Sequence, residues 1–438
     1  ILENKKGYEA LKSFLNRDIP NIKGIKPGEK IITSENFDKE IPDIIARLNS
    51  SYLFLQGPPG TGKTFQSANA IVELLKKNKR IAVTANSHKV IHNLLERVEK
   101  IAEKQSFLFK GLKMGNPDNE DTFYKGKLIK TDKNERHYID GLKDKNTLLY
   151  AGTKYHLSQW YYRSKIDYLF VDEAGQISIA DLIALGGVAK NIILVGDQLQ
   201  LGQPTQGSHP GLSNNSVLDY LLQGKDTVED NRGIFLSRTY RMHPNINSFI
   251  SENFYENKLL TNVENKIRKI EFPKNFFINN EGIHTILMDH EDCTQTSEQE
   301  FKKIDEIIKK LIGKKFTDAD KKERPLKIED FLIVSPYNAQ VNFLLARLPE
   351  GTRCGTIDRF QGQEAPVTII SMTSSDLESL PRDKSFFFNR NRLNVAISRA
   401  QCLSVILFNP KLLESPPKTY EDFKMINNFQ KLLKYKTK

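Results

Sequence analysis

Cysteine is scarce in this chain of 438 residues, which has only Cys293, Cys354 and Cys402. They form no CxxC pair and no cluster with histidine. This argues against a disulfide framework, a structural zinc site and a four-cysteine iron–sulfur site. The pattern is typical of a reducing cytosol, and we expect a cytoplasmic protein.

Long apolar runs are also missing. None approaches the ~18 residues that a membrane helix needs, and no secretory signal pattern stands at the start. We therefore expect no membrane partner. Ile1 stands first in place of methionine, and we expect a fragment or a trimmed protein.

Acidic residues are outnumbered, with 54 Asp and Glu against 65 Lys and Arg, a net charge of +11. A basic excess of this size indicates a polyanionic partner. A solvated lysine-rich surface explains it equally well, and the two interpretations stay open.

Short apolar runs alternate with helical patterns in both halves of the chain. The runs include "YLFLQ" (52–56), "YLFVDE" (168–173), "FLIVSPY" (331–337) and "LSVILFN" (403–409). Strands that are apolar on both faces and alternate with helices indicate a parallel sheet covered on both sides. We predict an α/β protein of two lobes in tandem, each a mostly parallel sheet covered by helices.

The predicted boundaries follow from changes in composition. They are an N-terminal linker or helical segment at 1–49, a first lobe at 50–232, a second lobe at 233–412 and a lone basic C-terminal helix at 413–438. Lys, Asp, Asn and Gly dominate 105–147 and the periodicity there is poor. We predict a small insertion on the first sheet of this lobe, and whether it forms a small subdomain of its own stays open.

The stretch "GPPGTGKT" (57–64) fits the phosphate-binding loop pattern between a strand and a helix. Glycines let backbone N–H groups surround phosphate oxygens, Lys63 reaches the terminal phosphates, and Thr64 holds Mg²⁺. We therefore predict ATP and Mg²⁺ as ligands. The residues predicted to bind the nucleotide here are Gly57, Pro58, Pro59, Gly60, Thr61, Gly62, Lys63 and Thr64.

Hydrolysis needs a carboxylate near the metal and a base near the attacking water. "VDEAGQ" supplies Asp172 for Mg²⁺ and Glu173 for the base. Gln200 in "GDQLQLGQP" again follows a strand, and we expect it to sense the γ-phosphate. The first lobe offers no obvious positive charge for the far side of the γ-phosphate. The second offers Arg241 and Arg399 as candidate arginine fingers, although each taken alone is more typical of a structural role.

The ordered set of motifs resembles superfamily 1 helicases, of the subgroup that contains the nonsense-mediated-decay helicase. "YRMHP" (240–244) and "RLNVAISRA" (392–400) are the specific matches, and the resemblance spans about 50–410. "TANSHKVIHNLL", "DQLQLGQPTQGSHPG" and "SPYNAQV" are closer still to prokaryotic fusions of a RecB-like nuclease with such a helicase. The resemblance implies two RecA-like lobes.

The resemblance also implies further roles. Tyr240 packs against adenine and Glu364 contacts the nucleotide sugar, as in the family. The family's adenine-reading glutamine upstream of the phosphate loop has no counterpart here, because residues 1–55 contain no glutamine. The residues that match the family's nucleic-acid contacts are Thr84, Asn86, Ser87, Thr153, Ser335, Pro336, Tyr337, Asn338, Thr356 and Arg359.

Three aromatic residues receive separate expectations. Tyr337 is predicted to stack on a base, and Tyr155 is a weaker candidate for the same role. We expect Trp160 to pack in the core or against the insertion.

The function that we predict is an ATP-driven motor on single-stranded nucleic acid, DNA rather than RNA, moving 5′ to 3′ as the family implies. A nuclease domain or partner upstream is expected, and no obligate ring oligomer. The alternatives are an RNA helicase and an ATP-gated clamp that does not unwind. A ring-forming P-loop ATPase and a chain that is itself a nuclease fit the sequence less well.

Overall fold

The computed structural model describes residues 7–34, 36–202, 211–273, 276, 278–360, 362–376, 388–414 and 419–435. The chain divides into two compact units. The first consists of Ile1–Pro58, Gly62–Gln198 and Gly202–Leu236. The second consists of Pro59–Thr61, Leu199–Leu201 and Ser237–Lys438.

The first unit begins with two amphipathic helices, α1 (Glu9–Asn16) and α2 (Phe37–Ala46). Leu11 and Phe14 of α1 are fully buried, as are Ile44 and Ile45 of α2. These helices therefore belong to the core of the first unit, although the sequence indicated a linker or helical segment before the first lobe.

The first unit is built on one eight-stranded sheet in the order β4-β3-β5-β2-β6-β7-β1-β8, in which every neighbouring pair is parallel. The strands are β1 (Tyr52–Gln56), β2 (Ile81–Thr84), β3 (Lys110–Met114), β4 (Ile129–Asp132), β5 (Thr147–Ala151), β6 (Ile166–Val171), β7 (Ala189–Gly196) and β8 (Gly233–Phe235).

Helices cover both faces of this sheet. They are α3 (Lys63–Lys76), α4 (His88–Lys104), α5 (Glu135–Lys143), α6 (Lys154–Leu157), α7 (Ile179–Leu185) and α8 (Val217–Leu222). Successive residues of a strand point to opposite faces. Accordingly, Leu53 and Leu55 join one hydrophobic core, whereas Tyr52 and Phe54 join the other.

The segment 105–147 joins the first sheet and does not form a separate subdomain. Its strands β3 and β4 extend the main sheet, since β3 pairs with β5 and β4 pairs with β3. The segment is polar because β4 is the edge strand of the sheet and β3 lies next to it, and few positions of these two strands are buried.

The second unit has a five-stranded sheet in the order β12-β18-β17-β15-β16, with every pair parallel. Two small sheets, β10-β9 and β11-β13-β14, accompany it. The strands are β9 (Arg238–Thr239), β10 (Leu260–Thr261), β11 (Lys269–Ile270), β12 (Gly282–Leu287), β13 (Lys315–Thr317), β14 (Glu323–Pro325), β15 (Phe331–Val334), β16 (Arg353–Gly355), β17 (Ala365–Ser371) and β18 (Ala400–Phe408).

The helices of the second unit are α9 (Pro244–Phe254), α10 (Glu298–Leu311), α11 (Asn338–Leu345), α12 (Arg390–Ser398) and α13 (Tyr420–Gln430). The last helix is not the lone basic helix that the sequence indicated. A 3₁₀ turn, Lys431–Tyr435, follows it, and Leu432 is buried. The Leu432 carbonyl accepts a hydrogen bond of 2.9 Å from the Thr285 hydroxyl on β12, so the tail packs on this unit.

The prediction of two α/β units with parallel, helix-covered sheets is confirmed. Within the described part of the chain, no helix combines the length and the apolar character that crossing a bilayer demands.

Candidate functional site

The predicted phosphate loop and the predicted carboxylates lie at the same edge of the first sheet. In a parallel sheet the carboxyl ends of all strands meet at one edge, which is where open α/β sheets bind ligands. Gly57 follows β1, Asp172 follows β6, and only β7 lies between these two strands.

The loop has the backbone that a phosphate cradle needs. Gly60 and Gly62 have φ angles of +74° and +81°, which only glycine adopts easily. Gly62 is the N-cap of α3 and offers no side chain to the helix N–H groups, so these remain available to an anion. The Lys63 Nζ donates 2.6 Å to the Gly57 carbonyl and so lies over the loop.

Asp172 is a buried carboxylate that lacks full compensation of its charge. Its burial, and secondarily the negative charge of Glu173, raise its pKa to about 7, while Lys63 acts in the opposite direction. The backbone N–H of Glu173 donates 2.9 Å to the Asp172 Oδ1. Such a carboxylate fits a divalent cation, because a metal would supply the missing positive charge. Thr64, in the first turn of α3, is the other predicted ligand.

Glu173 stands in a strained backbone conformation, with φ at 50° and ψ at 45°. Residues other than glycine seldom adopt this left-handed region, and functional sites are where such strain is most often retained. The conformation directs the chain into a sharp turn directly after β6, which sets Glu173 apart from the strand direction. Sequence reasoning proposed the residue as a base but did not anticipate this turn.

The predicted nucleotide residues of the second unit gather at the amino edge of its sheet. Glu364 precedes β17, and Arg399 lies between α12 and β18. The Arg241 Nε donates 2.5 Å to a Glu364 carboxylate oxygen, and its Nη1 donates 3.3 Å to the Ser398 carbonyl. Burial raises the pKa of Glu364, but the Arg241 charge and hydrogen bond outweigh it and hold that pKa below its usual value.

Two residues without any motif hold this edge together. Arg268 is buried and donates through Nη2 to the Tyr240 carbonyl at 3.1 Å and through Nη1 to the Arg241 carbonyl. Gln401 donates 2.7 Å to Glu364. Tyr240 itself is 53% exposed, as a ring that packs on a base must be. No spacing in the sequence marks Arg268 or Gln401, because their partners are distant in the chain.

Gln200 is buried, and the segment Leu199–Leu201 that contains it belongs to the second compact unit. Its carbonyl accepts 2.9 Å from the Asn391 side chain, and the neighbouring Leu199 carbonyl accepts 2.8 Å from Asn394. Arg399, 3% exposed, is also buried. The γ-phosphate roles of Gln200 and Arg399 stay predictions.

The positions predicted to contact nucleic acid lie at the carboxyl edges of both sheets. In the first unit Asn86 and Ser87 follow β2 and are exposed, and Thr153 follows β5. The Ser87 hydroxyl caps α4 by accepting 3.3 Å from the Val90 N–H. In the second unit, the positions that are at least partly exposed are Pro336, Asn338, Thr356 and Arg359.

Three of the predicted contacts are buried instead. Thr84 and Ser335 are fully buried, and the Ser335 hydroxyl lies 3.2 Å from the Thr373 hydroxyl. Tyr337 is buried too, and its hydroxyl accepts 3.5 Å from Ser374, so its ring is not offered to a base as predicted. Thr84 is the last residue of β2, and Ser335 and Tyr337 come just after β15; a motif match cannot tell whether a side chain at such a position is buried or exposed.

These two sites define a class of protein: a two-unit P-loop α/β protein with acidic groups at one sheet edge and arginines on a second unit. Two family profiles, both described as "AAA domain", match residues 43–213 and 214–411. The chain is 27% identical over 417 residues to "Regulator of nonsense transcripts 1 homolog" of Drosophila melanogaster, covering 82% of this chain and 33% of that protein.

It is also 27% identical over 409 residues to "DNA polymerase alpha-associated DNA helicase A" of Schizosaccharomyces pombe, covering 79% of this chain and 59% of that protein. Among solved structures, an arterivirus helicase, nonstructural protein 10, aligns with a TM-score of 0.44 at 15% identity, covering 86% of this chain and 62% of that one. A TM-score of 0.44 is too low for this similarity to serve as evidence for the fold.

The two profiles and the helicase relatives confirm the resemblance to superfamily 1 helicases of the subgroup that contains the nonsense-mediated-decay helicase. This is a family of ATP-hydrolysing nucleic-acid motors, and the family prediction is confirmed. The narrower resemblance to RecB-like nuclease–helicase fusions stays a prediction. The chain spans between a third and three fifths of the length of these two relatives.

Proposed function

We propose that this chain is the motor part of an ATP-driven translocase that moves along single-stranded DNA from 5′ to 3′. The observation that carries the proposal is the division of charged groups between two α/β units. Lys63, Asp172 and Glu173 lie at the carboxyl edge of the first sheet, whereas Arg241 and Arg399 lie at the amino edge of the second. Because hydrolysis in this proposal needs both sets of charged groups, each ATP turnover is coupled to a conformational change that involves both units.

Each group has one task in this proposal. The backbone N–H groups of the loop and the start of α3 bind the phosphates, and Lys63 neutralises their charge. Glu173 takes the proton of the attacking water. Arg241 and Arg399 stabilise the charge that develops on the transferred phosphoryl group. Mg²⁺, when held by Thr64 and Asp172, would neutralise phosphate charge and orient the oxygens.

Arg241 has to leave one partner to act in this way. Its ion pair is with Glu364, the residue expected to contact the nucleotide sugar, and in this proposal the pair keeps the guanidinium oriented until nucleotide binds. Tyr240, exposed beside it, offers its ring to the base. The Arg268 guanidinium donates to the backbone carbonyls of Tyr240 and Arg241 and so holds both residues in place. This supports the proposal that Tyr240 and Arg241 act as one nucleotide-binding element of the second unit.

DNA is favoured over RNA by the narrower resemblance to nuclease–helicase fusions, which also supports a nuclease domain or partner upstream. The name of the fission yeast relative, a DNA helicase, agrees with this choice. The fruit-fly relative is named for nonsense transcripts, and an RNA helicase is therefore the second candidate. Phosphate contacts made by hydroxyls and amides do not by themselves distinguish the two polymers.

The test measures the ATPase rate of the whole chain with single-stranded DNA, single-stranded RNA and duplex, at two salt concentrations. We expect the largest stimulation with single-stranded DNA and a weaker effect at higher salt, because phosphate binding releases counterions. Greater stimulation by RNA would favour the second candidate. A rate indifferent to all polymers would contradict the motor.

Arg399→Ala should abolish stimulated turnover and leave ATP binding nearly intact. Arg347→Ala is the matched control, since Arg347 is exposed, stacks on Phe343 with its guanidinium 3.8 Å from the ring centre, and has no proposed role. Normal turnover in Arg399→Ala would contradict hydrolysis between the two units. Displacement of a duplex strand from a 5′ overhang separates unwinding from an ATP-gated clamp.

A further inference from the structure

The chain makes a strained turn directly after β17, at the carboxyl edge of the second sheet. Thr373 has a φ of +72°, which a β-branched residue rarely adopts. The Ser374 N–H donates 2.8 Å to the Met372 carbonyl, so the backbone closes a turn of three residues. Such turns with a positive φ at the central residue are rare and unfavourable. Strain of this kind persists only where the surroundings hold it, and functional sites are a frequent place for it.

A fully buried carboxylate on α10 holds the turn in this conformation. Glu300 accepts the Thr373 N–H at 3.0 Å through Oε1 and at 3.1 Å through Oε2, and it also accepts the Ser371 hydroxyl. The His290 Nε2 lies 3.3 Å from the Glu300 Oε1. A buried carboxylate is tolerated only when hydrogen bonds satisfy it. These contacts satisfy Glu300 and at the same time fix the strained turn to α10.

The turn also holds the segment 335–340, which follows the neighbouring strand β15. Three contacts between buried side chains join the two segments. They are the Ser335 hydroxyl with the Thr373 hydroxyl at 3.2 Å, the Tyr337 hydroxyl with the Ser374 hydroxyl at 3.5 Å, and the Gln340 Nε2 with the Ser371 Oγ at 3.1 Å. Because all these groups are buried, bulk water does not readily replace the partner that a substitution removes.

The same segment carries two of the positions expected to contact nucleic acid. Pro336 is partly exposed, and Asn338, the first residue of α11, is exposed. They alternate with the buried Ser335 and Tyr337, so the contacts described above fix the backbone on both sides of Pro336. The Tyr337 side chain caps none of the first N–H groups of α11, so an acceptor from outside the helix, such as a phosphate oxygen, can serve them.

We propose that Thr373, held by Glu300, is a positioning residue for the nucleic-acid strand, because it fixes the segment 335–338 in the conformation that binds phosphates. The inference rests on the proposed function, since it takes the exposed positions of this segment to contact the strand. It gives Ser335 and Tyr337 a role other than the predicted one: they hold the contact segment and do not touch the strand. A segment fixed in advance loses little conformational entropy when it binds.

The test measures the concentration of oligothymidylate that stimulates the ATPase of the whole chain to half its maximum. Thr373→Val keeps the β-branched shape and removes the hydroxyl that contacts Ser335. We expect the half-maximal concentration to rise about fivefold, as for the loss of one hydrogen bond. Turnover at saturating strand and the KM for ATP should stay unchanged. Thr373→Ser keeps the hydroxyl and should restore the wild-type value.

Thr368→Val is the matched control for the loss of a buried hydroxyl. Thr368 is fully buried on the same strand, β17, and its hydroxyl donates 3.1 Å to the Ser404 Oγ on β18. This variant should lose about as much stability in urea unfolding as Thr373→Val and respond to the strand like the wild type. A purely structural role of Thr373 would give both variants the same half-maximal concentration, and that result would overturn the proposal.

A second variant breaks the same contact from its other side. Ser335→Ala should raise the half-maximal concentration by a factor similar to that of Thr373→Val. The double variant should be no worse than either single one, because the two residues act through one contact. Effects that multiply in the double variant would contradict this coupling.

The outcomes separate this inference from the proposed function. A wild type that oligothymidylate stimulates, with an unchanged half-maximal concentration in Thr373→Val and Ser335→Ala, would keep the motor and overturn the positioning role. Failure of oligothymidylate to stimulate the wild type would overturn both.

Discussion

His156 lies in a buried aromatic cluster of the first unit, in contact with the rings of Tyr138, Tyr161 and Tyr162, and its burial predicts a specific sensitivity to acid. It is 7% exposed, and its Nε2 lies 2.7 Å from the Tyr162 hydroxyl. Burial lowers its pKa from 6.5 to about 4, because the charged ring would lose its hydration. The folded first unit therefore holds His156 neutral at a pH where the unfolded chain has already bound a proton.

The sign and size follow from linkage. A depressed pKa gives stability that is present above about pH 6.5 and is lost as the pH falls toward about 4. At about pH 5 the unfolded state gains a factor of about 33 from protonation and the folded state about 1.1. The ratio of about 30 corresponds to a loss of about 2 kcal/mol in the free energy of unfolding relative to about pH 7.5.

The perturbation is His156→Phe, which keeps an aromatic ring and removes the titrating group. Urea unfolding is followed by circular dichroism and by the fluorescence of Trp160, which lies in the same unit. The variant loses a hydrogen bond at every pH, so its stability is lower by about 1 kcal/mol at neutral pH. Its further loss between about pH 7.5 and 5 should be about 2 kcal/mol smaller than that of the wild type.

The comparison isolates one residue, because the other histidines titrate alike in both proteins. An equal loss of stability on acidification in wild type and variant would refute the reasoning. It would mean that His156 can take a proton in place, or that the cluster opens at no cost.

Three further perturbations are expected to have defined effects. Glu300→Ala removes a fully buried carboxylate that accepts the Thr373 N–H at 3.0 Å, and should cost the second unit about 3 kcal/mol in urea unfolding; a cost below about 1 kcal/mol would contradict the buried network. Gly62→Ala forces a side chain into a φ of +81° and should lower stability by about 1 kcal/mol in thermal unfolding, with weaker ATP binding; unchanged values would mean that the loop relaxes. Burial raises the pKa of Asp330, but the hydrogen bonds that Arg324 donates to its carboxylate outweigh this and hold the pKa below 3.8. The stability that this carboxylate contributes is therefore present above about pH 3.8 and is lost as the pH falls below that value. Asp330→Asn should remove this loss of stability in acid, and an unchanged dependence of unfolding on acidic pH in the variant would contradict the reasoning.

The alternation of apolar runs with helical patterns was sufficient to predict two parallel, helix-covered sheets. Runs such as 52–56 and 168–173 are apolar on both faces, and only a doubly covered sheet satisfies them. The insertion shows the limit of this reasoning. Its strands are partly polar because β4 is the edge strand of the sheet and β3 is its only neighbour, and strands near an edge lack the continuous apolar signal on which the prediction depends.

The candidate site divides in the same way. Lys63, Asp172 and Glu173 could be predicted because a phosphate loop and adjacent acids at strand ends have local patterns. Arg268 and Gln401 could not, since each acts through residues far away in the chain. Exposure was equally inaccessible: Tyr337 is buried and Trp160 is exposed, although local sequence favoured the reverse.

The sequence by itself determined the fold class, the family resemblance and the position of the predicted phosphate-binding loop, because periodicity and loop spacing are local properties of the chain. Tertiary structure alone decided which polar groups meet at each sheet edge and which aromatic rings face water. Those outcomes depend on how distant strands and helices pack, and burial is a property of that packing rather than of any residue or its neighbours in sequence.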